Sequence, residues 1–293
     1  MFFALLTALF WSGSGICSAR SAKALGVLTV NRSRLILALA GLGMTAWILD
    51  RACWGPGAWW FVLSGMIGLG MGDIAMYAAY RLLGTRLTIL LTQALAVPGA
   101  WIVEWLWLRG DPQLHRAPWA LLILVGLAIA LWPQRGAATP PDRWRGLLFG
   151  IGSAAGLAIS AVVSRRGYAA EALTGLESAV LRNAGGLAVM LALWPLQIAM
   201  IRARRRMGQT VVGGDWRGGW PWLIGAAILG PGVGVACYQL ALAEAPSGAV
   251  QAVVATTPIL VMPLAWLIDG EKPEPRSIMG SLIAVGAVIG MVW

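Results

Sequence analysis

The chain has 293 residues, of which 59% are hydrophobic and 12% are charged, and its formal net charge at pH 7 is +10. An ordinary soluble domain carries roughly 25% charged residues, so this composition excludes a water-soluble fold of this size. The positive charge does not indicate nucleic-acid binding either, because the basic residues are scattered through short loops and form no single basic face.

Segments without any charged side chain tile the chain and predict its helices. A helix needs roughly 20 apolar residues to cross a hydrocarbon core of about 30 Å, and it satisfies its own backbone hydrogen bonds there. The segments lack the alternation that is typical of membrane-barrel strands. The sequence therefore predicts an all-α membrane protein with ten transmembrane helices. In chain order these segments are 1–19, 35–49, 52–72, 87–103, 117–134, 146–164, 183–201, 218–243, 245–268 and 277–293.

An internal repeat divides the chain into two halves. A shift of 160 residues aligns small residues, and a shift of 148 aligns Arg34 with Arg182. We predict a first repeat at 1–134, a linker at 135–145 and a second repeat at 146–293. Because five spans are an odd number, the second repeat enters the membrane from the opposite side. The aligned pairs are Gly70 with Gly230, Gly72 with Gly232, Pro98 with Pro258, Gly110 with Gly270 and Gly126 with Gly286.

Motifs in both halves resemble one family. The first half reads GMGDIAMYAAYRLLGTR from Gly70 to Arg86, and the second reads YQLALAEAP from Tyr238 to Pro246 and LIDGEK from Leu267 to Lys272. With the two aligned arginines, these motifs resemble the EamA-type transporters of the drug/metabolite transporter superfamily over the whole chain. The resemblance implies two EamA repeats that export or exchange small metabolites, such as amino acids, across a bacterial inner membrane.

The first half departs from the family pattern in one place, and the orientation stays open. Arg109-Gly110-Asp111 stands where the family usually carries a Gly-Glu pair. Most Lys and Arg residues follow the odd-numbered segments, so the positive-inside rule places both termini outside. The family resemblance implies cytoplasmic termini instead.

Ionisable residues in a bilayer cost at least ~2.5 kcal/mol on insertion scales, so each needs an explanation. Asp73, Tyr77 and Tyr80 follow one another at i, i+4 and i+7 and share one helix face, which we expect to line a translocation path. There Asp73 either binds a cation or takes up a proton, because burial favours the neutral carboxyl group. The alternative is a structural ion pair with Arg34. We expect Arg34 and Arg182 to be structural charges that snorkel to the interface.

Further cavity residues are expected on the first, fourth, eighth and ninth segments. Prolines free backbone carbonyls, so Pro98 and Pro258 predict kinks and place the fourth and ninth segments around a central cavity. A packing kink is the alternative for both prolines, and a core or lipid-facing ring is the alternative for Trp101. The candidate cavity residues outside the third segment are Trp11, Gln93, Trp101, Tyr238 and Gln251.

We predict a secondary transporter, and a lipid flippase or scramblase on the same fold is the alternative. An enzyme is not expected, because His115 is the only histidine and no HExxH, GxSxG or P-loop pattern occurs. Cys17, Cys53 and Cys237 lack metal-like spacing. No cofactor or metal is expected. The expected partners are a small solute and the bilayer, with proton coupling and the choice of monomer or homodimer left open.

Overall fold

The computed structural model describes residues 1–108, 115, 117–131, 142–170, 173–207, 214–269 and 274–292. Every element of regular secondary structure in these ranges is helical. The structure contains the following elements in the first half: α1 (Phe2–Leu25), α2 (Val27–Ile48), α3 (Ala58–Gly65), a first π segment (Met66–Gly72), α4 (Asp73–Leu83), α5 (Thr85–Leu108) and α6 (Ala117–Leu131).

The second half has a similar order with more interruptions. Its elements are α7 (Arg143–Ala170), α8 (Gly175–Ala192), α9 (Trp194–Arg206), α10 (Trp216–Ala227), a second π segment (Ile228–Gly232), α11 (Val233–Glu244), α12 (Ser247–Val254), α13 (Thr257–Asp269) and α14 (Pro275–Val292).

The helices are long and apolar enough for a multi-pass membrane protein. Within the described ranges, eight helical units are long and apolar enough to cross a bilayer. Two further apolar helices, Ala117–Ala130 and Pro275–Met291, are shorter. The prediction of an all-α membrane protein is therefore confirmed. The predicted count of ten requires that the two shorter helices also cross the bilayer.

Two charge-free segments differ in detail from the helices. The third charge-free segment ends at residue 72, but the helical unit runs from Ala58 to Leu83 and so contains Asp73, Tyr77 and Tyr80, which were expected on one helix face. In the ninth segment α12 ends at Val254 and α13 begins at Thr257, close to the kink predicted at Pro258. The break lies just before Pro258, which has no N–H to donate to the preceding turn.

Several sequence predictions lie outside the described residues. These are most of the linker 135–145, the departure at Arg109-Gly110-Asp111 and the end of the closing motif, Gly270-Glu271-Lys272. The structure describes the helices on either side of each.

Helices of the two predicted halves pack against each other in matching pairs. In the order of the predicted repeat, α1 would correspond to α7 and the α3–α4 unit to α10–α11. The helix α1 packs on α10 and α11, and α7 packs on α3 and α4. The first helix of each predicted half therefore lies against the third helical unit of the other half. Helices of both predicted halves thus lie side by side around the centre of the protein.

Glycines permit the closest of these contacts. A Cβ atom on Gly126 of α6 would lie 2.6 Å from the backbone nitrogen of Ala284, and one on Gly280 of α14 would lie 2.6 Å from the carbonyl oxygen of Gly126. Only helices without side chains at these positions can approach so closely. This contact joins the last helices of the two halves.

Candidate functional site: a central cavity

A cavity lies where α1, α2, α4, α5, α7, α8, α11, α13 and the two π segments meet. The space between its walls, including the part open to the outside, is about 700 Å³. Its walls combine apolar side chains with a few polar ones. The lining residues are Trp11, Ser14, Gly15, Arg34, Gly68, Leu69, Gly72, Asp73, Met76, Tyr80, Ile89, Thr92, Gln93, Ser153, Leu157, Arg182, Gly230, Pro231, Val235 and Thr257.

An ion pair between α2 and α4 forms part of the cavity wall. The Arg34 Nη2 donates to Asp73 Oδ2, and the two side chains are 4% and 14% exposed. The Arg34 Nε donates to Asn31 Oδ1 at 3.0 Å, and the guanidinium carbon lies 5.1 Å from the centre of the Tyr77 ring. The two charges compensate each other, which is the condition under which a buried charge is tolerated. The expected structural pair therefore exists, and it exists inside the cavity.

Arg182 on α8 is buried in the cavity wall and does not snorkel, contrary to the prediction. Arg182 is only 1% exposed. Its Nη1 donates to Gln239 Oε1 at 3.1 Å, and its Nη2 donates to Ser160 Oγ at 3.4 Å. Gly68 leaves room for the guanidinium, since a Cβ there would lie 3.1 Å from Arg182 Nη2. Arg34 is likewise held inside the protein by its ion pair. Local sequence position suggested snorkelling, whereas polar partners from other helices hold both side chains inside.

Each π segment is held by an asparagine of the neighbouring helix. Asn31 Nδ2 donates to the Leu69 carbonyl at 3.2 Å, and Asn183 Nδ2 donates to the Pro231 carbonyl at 2.9 Å. A π turn disturbs the regular helical hydrogen-bond ladder, and such turns occur frequently at functional sites. The two π segments contribute Gly68, Gly72, Gly230 and Pro231 to the cavity lining.

Four of the eight predicted cavity residues line the cavity: Trp11, Asp73, Tyr80 and Gln93. Tyr77 lies directly behind the wall, where it is fully buried and its hydroxyl donates to Ser18 Oγ at 3.0 Å. Its ring contacts Tyr80 edge to face, with ring centres 5.7 Å apart. Asp73, Tyr77 and Tyr80 therefore lie on one side of α4, but only Asp73 and Tyr80 line the cavity.

Trp101, Tyr238 and Gln251 do not line the cavity. The Tyr238 ring packs on Trp11, with ring centres 5.1 Å apart, and Trp101 packs against the core cluster formed by α5, α6, α12 and α14. Gln251 on α12 is fully buried, and neither amide atom has a hydrogen-bond partner among the described residues. Of the three, Tyr238 contacts the lining residues Trp11 and Arg182 directly.

The two predicted proline helices supply only part of the walls. The helix α5 runs unbroken through Pro98 and contributes Ile89, Thr92 and Gln93, whereas α13 contributes Thr257 just before Pro258. The helices α5 and α13 contact each other as expected. Sequence reasoning missed Thr92 and Ser153 as lining residues, because small hydroxyl residues also occur in ordinary helix contacts.

Comparison with known proteins identifies the family. Residues 144–293 match the model of the EamA-like transporter family. Comparison with curated protein sequences gives no match. One solved structure, described only as a crystal structure of a protein, is similar over 98% of this chain and 94% of its own, with a TM-score of 0.69 and 16% identity. That likeness supports the fold alone. The family match covers the predicted second repeat and more than half of the chain, so this protein belongs to the EamA-like transporter family and is a membrane transporter of the drug/metabolite transporter type.

Proposed function

We propose that this protein is a secondary transporter that exports small amphipathic metabolites, such as hydrophobic amino acids, across the bacterial inner membrane. The observation that carries the proposal is the central cavity, which combines the Arg34–Asp73 pair and Arg182 with apolar walls formed by residues such as Trp11, Met76 and Leu157. A solute with one charged end and one apolar end matches this composition.

Alternating access is the mechanism that the packing supports best. We infer two inverted repeats, 1–134 and 146–293, joined by the linker 135–145. Inverted repeats that exchange conformations open a site at their interface to each side of the membrane in turn. The contacts of α1 with α10 and α11, matched by those of α7 with α3 and α4, support such an exchange, because each half encloses part of the other.

Gln251 indicates where a second opening forms. An unsatisfied buried polar group costs about 1–3 kcal/mol, so the enclosed amide is unfavourable in the conformation described here. A state that exposes Gln251 to water or solute recovers this free energy. Nearby, Ser247 of α12 donates to Glu104 of α5, and Trp11 packs on Tyr238. We infer that these contacts separate when the opposite face opens.

In this proposal a concentration gradient across the membrane drives the transport of the solute. Export is driven either by proton exchange, with Asp73 as the proton acceptor, or by the solute's own gradient. Counterflow of labelled leucine in proteoliposomes at two pH values tests the proposal. We expect saturable exchange, and a pH-dependent rate that disappears in Asp73→Asn would identify proton coupling. Lipid movement between leaflets without any saturable solute exchange would contradict the proposal and favour the lipid flippase alternative.

A further inference from the structure

The two buried arginines of the cavity have similar surroundings but different charge compensation. The guanidinium carbon of Arg34 lies 5.1 Å from the centre of the Tyr77 ring, and that of Arg182 lies 5.3 Å from the centre of the Tyr238 ring. The internal repeat aligns the two arginines. Arg34 has the carboxylate of Asp73, whereas Arg182 has the neutral amide of Gln239.

Arg182 therefore lacks a direct ion-pair partner among the described residues. Among the described residues no carboxylate lies within 4.0 Å of its guanidinium, and its Nε has no hydrogen-bond partner. Removing a charge from water is expensive unless an opposite charge and hydrogen bonds replace the lost hydration. Arg182 nevertheless belongs to the lining of the cavity, where a ligand can supply both.

We propose that Arg182 binds the carboxylate group of the transported solute. The charged side chains in the lining are Arg34, Asp73 and Arg182, so the cavity carries one net positive charge. A guanidinium offers a planar set of N–H donors that matches the two oxygens of a carboxylate. The unpartnered Nε and the weakly engaged Nη2 form one edge of that plane. A carboxylate there completes the second arginine site as Asp73 completes the first.

The rest of the cavity fits the remainder of such a solute. Met76, Ile89, Leu157 and Val235 offer apolar surface on several sides. Asp73 lines the same cavity as Arg182. An ammonium group next to the carboxylate, as in an amino acid, is then placed near the one anion of the site. The inference rests on the proposed function and specifies its substrate class as carboxylate-bearing amphipathic molecules.

The experiment measures ligand stabilisation of the purified protein in detergent, with leucine, isocaproate and isoamylamine as probes. These share a branched apolar chain, and only the first two carry a carboxylate. Ligands that bind the folded state raise its melting temperature, and the stabilisation grows with the logarithm of the ratio of ligand concentration to dissociation constant. We expect both carboxylates to stabilise the wild type and isoamylamine to have no effect. Equal stabilisation by isoamylamine, or none by either carboxylate, would overturn the inference.

Substitutions locate the effect. We expect Arg182→Gln to weaken carboxylate binding roughly tenfold or more, because it removes a charge-assisted hydrogen bond. Arg182→Lys, which keeps the charge but loses the planar donor set, should be intermediate. Arg81→Gln, on the exposed side of α4, is the matched control and should match the wild type. Wild-type affinity in Arg182→Gln would overturn the inference. If that variant does not fold, the probe series on the wild type decides.

A parallel counterflow assay with labelled leucine separates the two proposals. Carboxylate binding through Arg182 without saturable flux would leave the inference standing and contradict the transport function. Saturable flux of isoamylamine that is unchanged in Arg182→Gln would keep the transport function and overturn the inference.

Discussion

Arg34 on α2 and Asp73 on α4 form an ion pair inside the cavity, and Asp73 follows directly after the first π segment. The pair joins two helices of the same half, while Gly230 of the opposite half lies against Arg34, since a Cβ there would be 3.3 Å from its Nη1. The pair is thus both a structural contact and part of the cavity wall.

The double substitution Arg34→Gln with Asp73→Asn separates these two roles. Either single substitution leaves one buried charge unpaired, which costs about 3–5 kcal/mol in comparable pairs, so we expect a lower melting temperature for each. The double variant removes both charges and should recover most of the stability. We expect transport to remain low in the double variant, because the solute still loses its polar surroundings. Full recovery of transport would limit the pair to a structural role.

Gln251→Leu should raise stability and lower transport. The substitution removes a buried amide without hydrogen-bond partners among the described residues, so we expect a gain of about 1 kcal/mol or more in the conformation described here. That gain makes the opposite state harder to reach, and counterflow should slow. Melting in detergent and leucine counterflow are the two measurements.

The matched control for Gln251 is Gln197→Leu on α9. Gln197 accepts from Arg32 Nη1 at 3.2 Å and donates to Thr29 Oγ1 at 3.3 Å, so its loss should lower stability without slowing transport. Destabilisation by Gln251→Leu, or normal counterflow in that variant, would argue against a second opening at α12.

Gly280→Ala should destabilise the contact between α6 and α14. The new Cβ would meet the backbone nitrogen of Ala130 at 2.5 Å and the Gly126 oxygen at 2.6 Å, so the helices must separate. Gly286→Ala on the same helix is the control, because nothing lies within 4 Å of its Cβ position. Thermal unfolding in detergent should show a lower melting temperature only for the first variant. Equal melting temperatures for the two variants would show that α6 and α14 can move apart with little loss of stability.

Trp11→Ala tests the aromatic contact between α1 and α11. The Trp11 ring lines the cavity and packs on Tyr238, so its loss opens space on the side where we place the second opening. We expect solute to leak down its gradient through the variant, with weaker saturation in counterflow. Trp47→Ala, on the exposed surface of α2, is the control. If counterflow in this variant saturates as in the wild type, Trp11 does not help to close the second opening.

Local features of the sequence predicted the helices well and their contacts less well. The charge-free segments located the apolar helices because the bilayer imposes one length scale on each of them. The charge-free rule alone ends the third segment at residue 72, whereas the spacing of Asp73, Tyr77 and Tyr80 on one face extends the helix beyond it, as the unit Ala58–Leu83 shows. The break before Pro258 and the unbroken helix at Pro98 show that the same residue has different effects in different packing.

The candidate site was predictable as a set of helix faces but not as a set of contacts. The spacing of Asp73, Tyr77 and Tyr80 places them on one face, yet Tyr77 is fully buried and its hydroxyl donates to Ser18 instead of lining the cavity. Arg182 was assigned to the interface because its partner Gln239 lies 57 positions away in the chain. Partners between distant segments depend on the complete packing, which local spacing does not contain.

Cysteine accessibility tests the central claim most directly. Cys17, Cys53 and Cys237 are free, so each is first replaced by serine, and Thr92 of the cavity wall is then replaced by cysteine. Leu122→Cys, on an exposed apolar face of α6, is the control that a polar reagent should not reach. Alternating access predicts that a membrane-impermeant maleimide labels the Thr92→Cys variant from either side of the membrane, with leucine changing the ratio. Labelling from one side only, in the presence and absence of leucine, would contradict the account.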